Sequence, residues 1–287
     1  MISKHNNTAD KMFVLLTGAT GGLGRAFAVE CASRGWDLFI TDRQIGPLET
    51  LRLGLDSAYR AKVITYACDL TDATARESLF RHVRSVGHQF TMLINVAGVD
   101  FEGSFLDQDI HRIETIIRLN IEASVAMMHS TLCSRKPGST FRIINVASLA
   151  AFYPMPIKAT YAASKRFLLD LSLALREELG PQNISVTAVC PAGMPTTEKT
   201  IQAINAQGLA GFITTIDAGR VANQTLNAAL AGRAVVIPGW INRVIQTISI
   251  LIPPAIRAWL IYNRWSSVSR KSKSIRTVLE KSLLPNL

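Results

Sequence analysis

The stretch Thr17-Gly18-Ala19-Thr20-Gly21-Gly22-Leu23-Gly24 follows a short apolar run, Met12 to Thr17, and opens directly into a helical pattern over Leu23 to Ser33. Glycines at such a junction let the backbone turn tightly and approach a pyrophosphate, while the free N–H groups and positive dipole end of the following helix favour negative charge. A glycine-rich turn by itself is weak evidence. Its position between the first strand and the first helix makes it a phosphate cradle and makes Thr17, Gly18, Gly22, Leu23 and Gly24 candidate cofactor contacts.

Outward from this loop, β-rich apolar runs alternate with longer helical patterns. The runs are Met12 to Thr17, Asp37 to Thr41, Val63 to Cys68, Met92 to Val96, Arg142 to Ala147, Ile184 to Cys190 and Ala234 to Ile237. Between them lie helical patterns over Leu23 to Ser33, Pro47 to Ala58, Ala73 to Val86, Gln108 to Leu132, Ile157 to Leu179 and Ala218 to Ala231. Strands alternating with helices imply right-handed crossovers and a parallel sheet covered on both faces. The expected fold class is therefore α/β, a doubly wound parallel sheet with helices on both faces. No repeat or Pro/Gly linker divides the chain, so residues 1–239 read as one domain and 240–287 as a helical C-terminal extension.

The second strand ends at Asp42, about 20 residues beyond the glycine loop, where an acid can accept hydrogen bonds from a ribose 2′-hydroxyl. Asp42 points to NAD(H). The adjacent Arg43 could instead neutralise the 2′-phosphate of NADP(H), so NAD(H) is favoured over NADP(H) with the choice left open.

The reacting groups are expected in Tyr161-Ala162-Ala163-Ser164-Lys165, within a helix striped by Leu168, Leu171, Leu175 and Leu179. Residues four apart share a helix face, so Lys165 lies near the Tyr161 hydroxyl and its charge is expected to lower the phenol pKa from about 10. Ser148, just past the strand Arg142 to Ala147, is placed to hold a reacting oxygen. A Tyr–Lys pair at this spacing is common by chance; the phosphate loop and Ser148 make it specific.

These residues together resemble the short-chain dehydrogenase/reductase family over roughly Lys11 to Gly239. T-G-x-x-x-G-x-G is matched by Thr17, Gly18, Gly22 and Gly24, and Y-x-x-x-K by Tyr161 and Lys165. The resemblance implies a Rossmann-type fold and hydride transfer between a nicotinamide and a secondary alcohol or ketone, with Tyr161 as general acid/base. It implies an adenine contact from Asp69 after the third strand. The family's N-N-A-G segment appears as Asn95-Val96-Ala97-Gly98, in which Val96 replaces the second Asn. Asn120 matches the catalytic Asn, which completes a tetrad with Ser148, Tyr161 and Lys165. The P-G-x-x-x-T segment reads Pro191-Ala192-Gly193-Met194-Pro195-Thr196, with Ala192 where Gly is expected; Pro191, Gly193 and Thr196 are cofactor candidates and Thr197 a weaker one. A homodimer or homotetramer paired through Gln108 to Leu132 and Ile157 to Leu179 is also implied. The alternative is a non-catalytic cofactor-binding protein with a regulatory or assembly role, which would not need all four tetrad groups.

Composition narrows the rest. The formal charge of +10 divides unevenly, with residues 233–287 carrying +8 and residues 1–232 only +2. A nearly neutral body argues against nucleic acid as a partner. Cys31, Cys68, Cys133 and Cys190 are scattered, as are His5, His82, His88, His111 and His129, so no metal site and no disulfide framework are expected. Met1 to Lys11 lacks the apolar core of a signal peptide, and a cytoplasmic location is expected, with peripheral membrane contact as a further option.

Specificity is weakly written. The candidate pocket residues Leu149, Ala150, Phe152, Tyr153 and Met194, with the segment to Ala206, are mostly apolar, and no Arg or Lys is evidently placed to grip a carboxylate. That favours an apolar alcohol or ketone. In the extension, Trp240, Trp259, Trp265 and Tyr262 are interleaved with Arg243, Arg257 and Arg264, and the basic stretch Arg270, Lys271, Lys273 and Arg276 follows. The 13 uncharged residues between Arg243 and Arg257 are too few to span a bilayer. Ile241, Val244, Ile248, Leu251 and Ile252 recur at helical spacing, and this face is expected either to cover the pocket or a subunit partner, or to rest on an anionic membrane.

Overall fold

A computed structural model describes residues 11–263, apart from 197 and 207. Seven strands, β1 (Phe13–Thr17), β2 (Asp37–Asp42), β3 (Val63–Ala67), β4 (Met92–Asn95), β5 (Phe141–Val146), β6 (Ile184–Val189) and β7 (Val235–Val236), form one sheet in the order β3-β2-β1-β4-β5-β6-β7. Every pairing is parallel. The strand runs read from the sequence correspond to these seven within a residue or two. β1 is flanked by β2 on one side and β4 on the other, so successive crossovers leave in opposite directions there. That reversal opens a crevice beyond the strands' carboxyl ends.

Both faces of the sheet are buried because alternate strand residues supply two cores. Val14, Leu16, Leu38, Ile40, Met92, Ile94 and Ile144 pack on one side with Phe27, Ala28 and Leu48 from α1 (Gly22–Ser33) and α2 (Ile45–Ala58) and with Val221 and Leu226 from α9 (Ala218–Leu230). Leu15, Phe39, Leu93 and Ile143 pack on the other with Leu79, Phe80 and Val83 of α3 (Ala73–Val86) and Met127 and Met128 of α5 (Ser124–Cys133). Period-two burial on both faces explains the near-continuous apolar runs.

The helix read over Gln108 to Leu132 is three pieces: α4 (Ile110–Ile116), a π-helical stretch Ile117–Ala123, and α5. Periodicity does not reveal a π insertion, which changes backbone pairing rather than the apolar pattern. The helix read from Ile157 begins instead at Ala159 and forms α6 (Ala159–Leu179), because Ile157 has φ +72°, outside the helical region. Two helices not anticipated, α7 (Glu198–Ala206) and α8 (Gly208–Thr214), follow β6. Beyond β7 come α10 (Trp240–Ile250) and, after Pro253, a helix over 254–263. The positions Arg264, Trp265, Arg270, Lys271, Lys273 and Arg276, and Thr197 in the β6 loop, lie outside the described residues. Among the described residues no helix is long and apolar enough to cross a membrane, and no cluster of His, Cys, Asp or Glu has the makings of a metal site.

Candidate active site

The register places one row of polar residues along the carboxyl edge of the sheet. Thr17 is aligned with Thr41 and Asn95, and Asn95 with Asn145. The Thr17 hydroxyl accepts from the N–H groups of Val96 and Ala97 at 3.1 and 3.2 Å, which ties the end of β1 to the segment after β4. Asn95 Nδ2 donates to Asn145 Oδ1 at 3.0 Å, and Asn145 Nδ2 donates to Ser172 Oγ at 2.9 Å. Thr17 and Asn95 are thus buried stitches of the crevice floor, while Ala97 and Gly98 form part of its rim. Asn145 and Ser172 escaped the sequence reading because each is a lone polar residue within an apolar pattern.

The glycine loop has the shape expected of a phosphate cradle. Gly18 has φ +63°, and a Cβ there would stand 2.8 Å from the backbone of Ala97. A Cβ on Gly24 would lie 2.0 Å from the Gly18 carbonyl oxygen, so α1 packs directly onto the turn that precedes it. Asp72, Asp109 and Asp217 cap α3, α4 and α9 through their side chains, whereas the first turn of α1 has no side-chain cap. Its N–H groups point toward the cradle with the positive end of the helix dipole. Thr196 packs over this loop, its Cβ 2.4 Å from where a Gly22 Cβ would stand. Pro191 accepts from Leu149 N–H at 2.9 Å and Gly193 from Ile216 N–H at 3.4 Å, which joins the β6 loop to the segments around it.

Asp42 ends β2 with its carboxylate held in place. Oδ2 accepts from Thr20 N–H at 3.0 Å and from the Thr20 hydroxyl at 2.6 Å, and Oδ1 accepts from Arg43 N–H at 2.8 Å. Of the four acceptor positions on a carboxylate, one remains on Oδ1. The Arg43 side chain is exposed beside it. Asp69 accepts from the N–H and hydroxyl of Thr71 at 2.9 and 2.7 Å and fixes the turn after β3. These residues fit an adenosine-bearing dinucleotide: a cradle no side chain could share, an uncapped helix start, and a carboxylate with an acceptor position to spare.

Ser148, Tyr161 and Lys165 converge at the carboxyl end of β5. Ser148 caps the short 3₁₀ turn Leu149–Phe152 through Ala150 N–H at 3.1 Å, and its hydroxyl lies beside the Tyr161 phenol. Lys165 Nζ donates to the Val146 carbonyl at 2.8 Å and stands 5.8 Å from the centre of the Tyr161 ring. The expectation that Lys165 draws the phenol pKa down is not met in this arrangement. Burial pushes Tyr161 up to about 12 against the opposing hydrogen bond from Ser148, and burial pushes Lys165 down to about 8. Helical spacing identifies the neighbours but carries no information about how far both have left water.

Asn120, fully buried in the π-helical stretch, uses its carboxamide as a clamp. Oδ1 accepts from Val99 N–H at 2.9 Å, and Nδ2 donates to Val99 O and to Ser164 Oγ, both at 3.0 Å. A Cβ on Gly98 would stand 3.1 Å from Asn120 Oδ1 and 3.2 Å from Lys165 Nζ. All four tetrad residues therefore lie at one place, with the Asn120 side chain positioning the Gly98-Val99 segment against Lys165. Cys190, at the end of β6, is buried next to Ser148 and Lys165, and burial pushes its thiol up to about 12. Lys158, not anticipated, lies 6.0 Å from the Tyr161 ring centre and pairs with Asp100 at 2.6 Å and Glu102 at 3.4 Å. Its i, i+3 spacing to Tyr161 was the available signal.

A family model described as short chain dehydrogenase matches residues 12–207, more than half of the chain. A sulfoacetaldehyde reductase of Chromohalobacter salexigens is 34% identical over 190 residues, which cover 66% of this chain and 74% of that protein. A very-long-chain 3-oxoacyl-CoA reductase of Laccaria bicolor is 30% identical over 178 residues, 61% of this chain; the match spans only 52% of that protein's length. Among solved structures, a short-chain dehydrogenase from Sphingobium yanoikuyae in complex with NADPH is 27% identical, with a TM-score of 0.70, and covers 85% of this chain and 97% of that one.

Proposed function

The chain belongs to the short-chain dehydrogenase/reductase family, a family of oxidoreductases, and from that premise we propose that it interconverts a carbonyl and the corresponding alcohol with Tyr161 as general acid/base. A nicotinamide dinucleotide bound along the carboxyl edge of the sheet would supply or accept the hydride. The residues that would hold it are Gly18, Gly22, Leu23 and Gly24 at the phosphates, Asp42 and Arg43 near the adenosine ribose, Asp69 near the adenine, Ala97 and Gly98 on the crevice rim, and Pro191, Gly193 and Thr196 on the far side.

The convergence of Ser148, Tyr161 and Lys165 carries this reading. Burial pushes the Tyr161 phenol up to about 12, so it holds its proton at neutral pH and is suited to donate it to a carbonyl oxygen when the reaction runs as a reduction. Ser148, whose hydroxyl lies beside that phenol, would hold the same oxygen as negative charge develops on it. The Lys165 charge, 5.8 Å from the ring centre, would stabilise the phenolate left behind. An apolar alcohol or ketone is favoured by Leu149, Ala150, Phe152 and Met194 around Ser148 and the β6 loop. The assay is a panel of ketones, aldehydes and alcohols with NAD(H) and NADP(H), followed at the nicotinamide absorbance. Cofactor binding without turnover on any member would favour the non-catalytic reading instead.

NAD(H) remains the favoured cofactor in this proposal, because the fixed Asp42 carboxylate opposes a 2′-phosphate; Arg43 is the opposing influence. Exposed Ile117, Val125, Phe167 and Leu173 lie on the helical segments expected to pair in a homodimer or homotetramer. Their exposure supports that assembly, which light scattering would test.

A further inference from the structure

Helix α10 sits on the protein the wrong way round for a core helix. The two residues it buries are both polar: Asn242 is 1% exposed and donates to the carbonyls of Thr214 and Pro238, both at 3.0 Å, and Ser249 one face-repeat later is also buried. Its apolar residues, except the half-buried Ile241, are exposed. Trp240, Val244, Ile248 and Leu251 form an exposed stripe in which Trp240 is 69% and Leu251 83% exposed, and Trp259 and Leu260 on the next helix are exposed as well. The rest of the described residues leave this stripe uncovered.

The orientation is fixed rather than free to roll. Gly239 enters the helix with φ +82°, where a Cβ would stand 2.5 Å from Ile216. Arg257 Nη1 donates to the Phe152 carbonyl at 2.8 Å, which ties the second helix to the 3₁₀ turn that Ser148 caps. A helix that seats itself on the protein through Asn242 and Ser249 and turns Trp240, Val244 and Ile248 away from it presents the apolar face of an interfacial segment.

Charge selects the occupant. Residues 240–263 contain Arg243 and Arg257 and no Asp or Glu, and residues 264–287 add six basic side chains against one acid, Glu280. A second copy seated on this face would bring two such cationic segments together. An anionic bilayer surface matches both the apolar stripe and the surrounding positive charge.

We propose that the outward face of α10 and the helix over 254–263 docks this protein onto anionic lipid membranes. This does not depend on the reaction proposed above. The test is flotation of the full-length protein with vesicles of phosphatidylcholine plus phosphatidylglycerol and with phosphatidylcholine alone, alongside a Val244→Glu/Ile248→Glu variant. Both altered positions are exposed, and an unchanged melting temperature would certify the variant's fold. The expected result is flotation that requires the anionic lipid, weakens with added salt, and falls at least tenfold in the variant. Absence of flotation with anionic vesicles, or flotation equal in the variant, would overturn the proposal. So would a wild-type dimer that the same substitutions convert to monomer without any lipid binding, since the occupant would then be a second copy. Should the altered pair unfold the protein, Arg243→Glu is the substitute, and its undiminished flotation would count equally against the proposal.

Discussion

Lys165 Nζ donates to the Val146 carbonyl at 2.8 Å, so the last residue of β5 holds the cation that stands behind Tyr161. The bond is made inside the protein, and burial lowers the lysine from 10.5 to about 8. Between those two values the unfolded chain carries a proton that the folded chain lacks, so stability rises with pH across that window and is unaffected by this group below it. In Lys165→Met the rise disappears. The difference in unfolding free energy between wild type and variant, measured by urea denaturation from pH 7 to 10, should widen in favour of the wild type by an amount on the order of a few kcal/mol. A constant difference would refute the lowered lysine.

Replacing Tyr161 by Phe removes the one hydroxyl placed to exchange a proton beside Ser148. Turnover should fall by roughly 10²–10⁴-fold, the usual contribution of general acid/base catalysis, while dinucleotide affinity measured by calorimetry stays within a few-fold. Near-wild-type turnover with any accepted carbonyl would assign the proton to another group.

Asn120→Ala leaves the N–H and carbonyl of Val99 without the partners that the side chain now provides. Val99 is half-buried, so water replaces part of what is lost; a destabilisation of about 1–3 kcal/mol in all is expected, together with weaker dinucleotide binding as the Gly98-Val99 segment loosens. Urea unfolding and cofactor titration measure the two effects, and an unchanged midpoint would show that the clamp contributes little.

At Gly24 an added methyl group would lie 2.0 Å from the Gly18 carbonyl oxygen, both of them backbone neighbours unable to swing aside. Gly24→Ala should cost about 1–3 kcal/mol and abolish dinucleotide binding at concentrations that saturate the wild type. Retained affinity would show that the loop is not the phosphate cradle.

Asp42→Ala removes the negative charge facing the adenosine ribose and leaves Arg43. Preference for NAD(H) over NADP(H), taken as the ratio of kcat/KM values, should drop at least about tenfold, equivalent to about 1.4 kcal/mol. A ratio that does not move would remove Asp42 from cofactor selection.

The strand runs were legible because both sheet faces are buried: Leu15 and Leu16 enter different cores, yet both must be apolar. Tyr161, Lys165 and the glycine loop were legible because their spacing within one helix or one turn fixes their geometry locally. Helices α7 and α8 were not, since their sequence lacks a long apolar stripe. Nor were the ion pairs of Lys158, whose partners Asp100 and Glu102 come from the segment after β4, distant in the chain.

By itself the sequence determined the alternation of strands and helices, the spacing of Tyr161 and Lys165 and of the glycine loop, and the concentration of positive charge in the last 55 positions. Those properties are local, written in period, spacing and count. Tertiary structure alone decided that Tyr161 and Lys165 are desolvated together, that Asn120 is a clamp, and that α10 turns its apolar side outward. Each of these depends on what lies across a crevice or on which face meets the protein, and a linear pattern specifies a helix's two faces without specifying which one is buried.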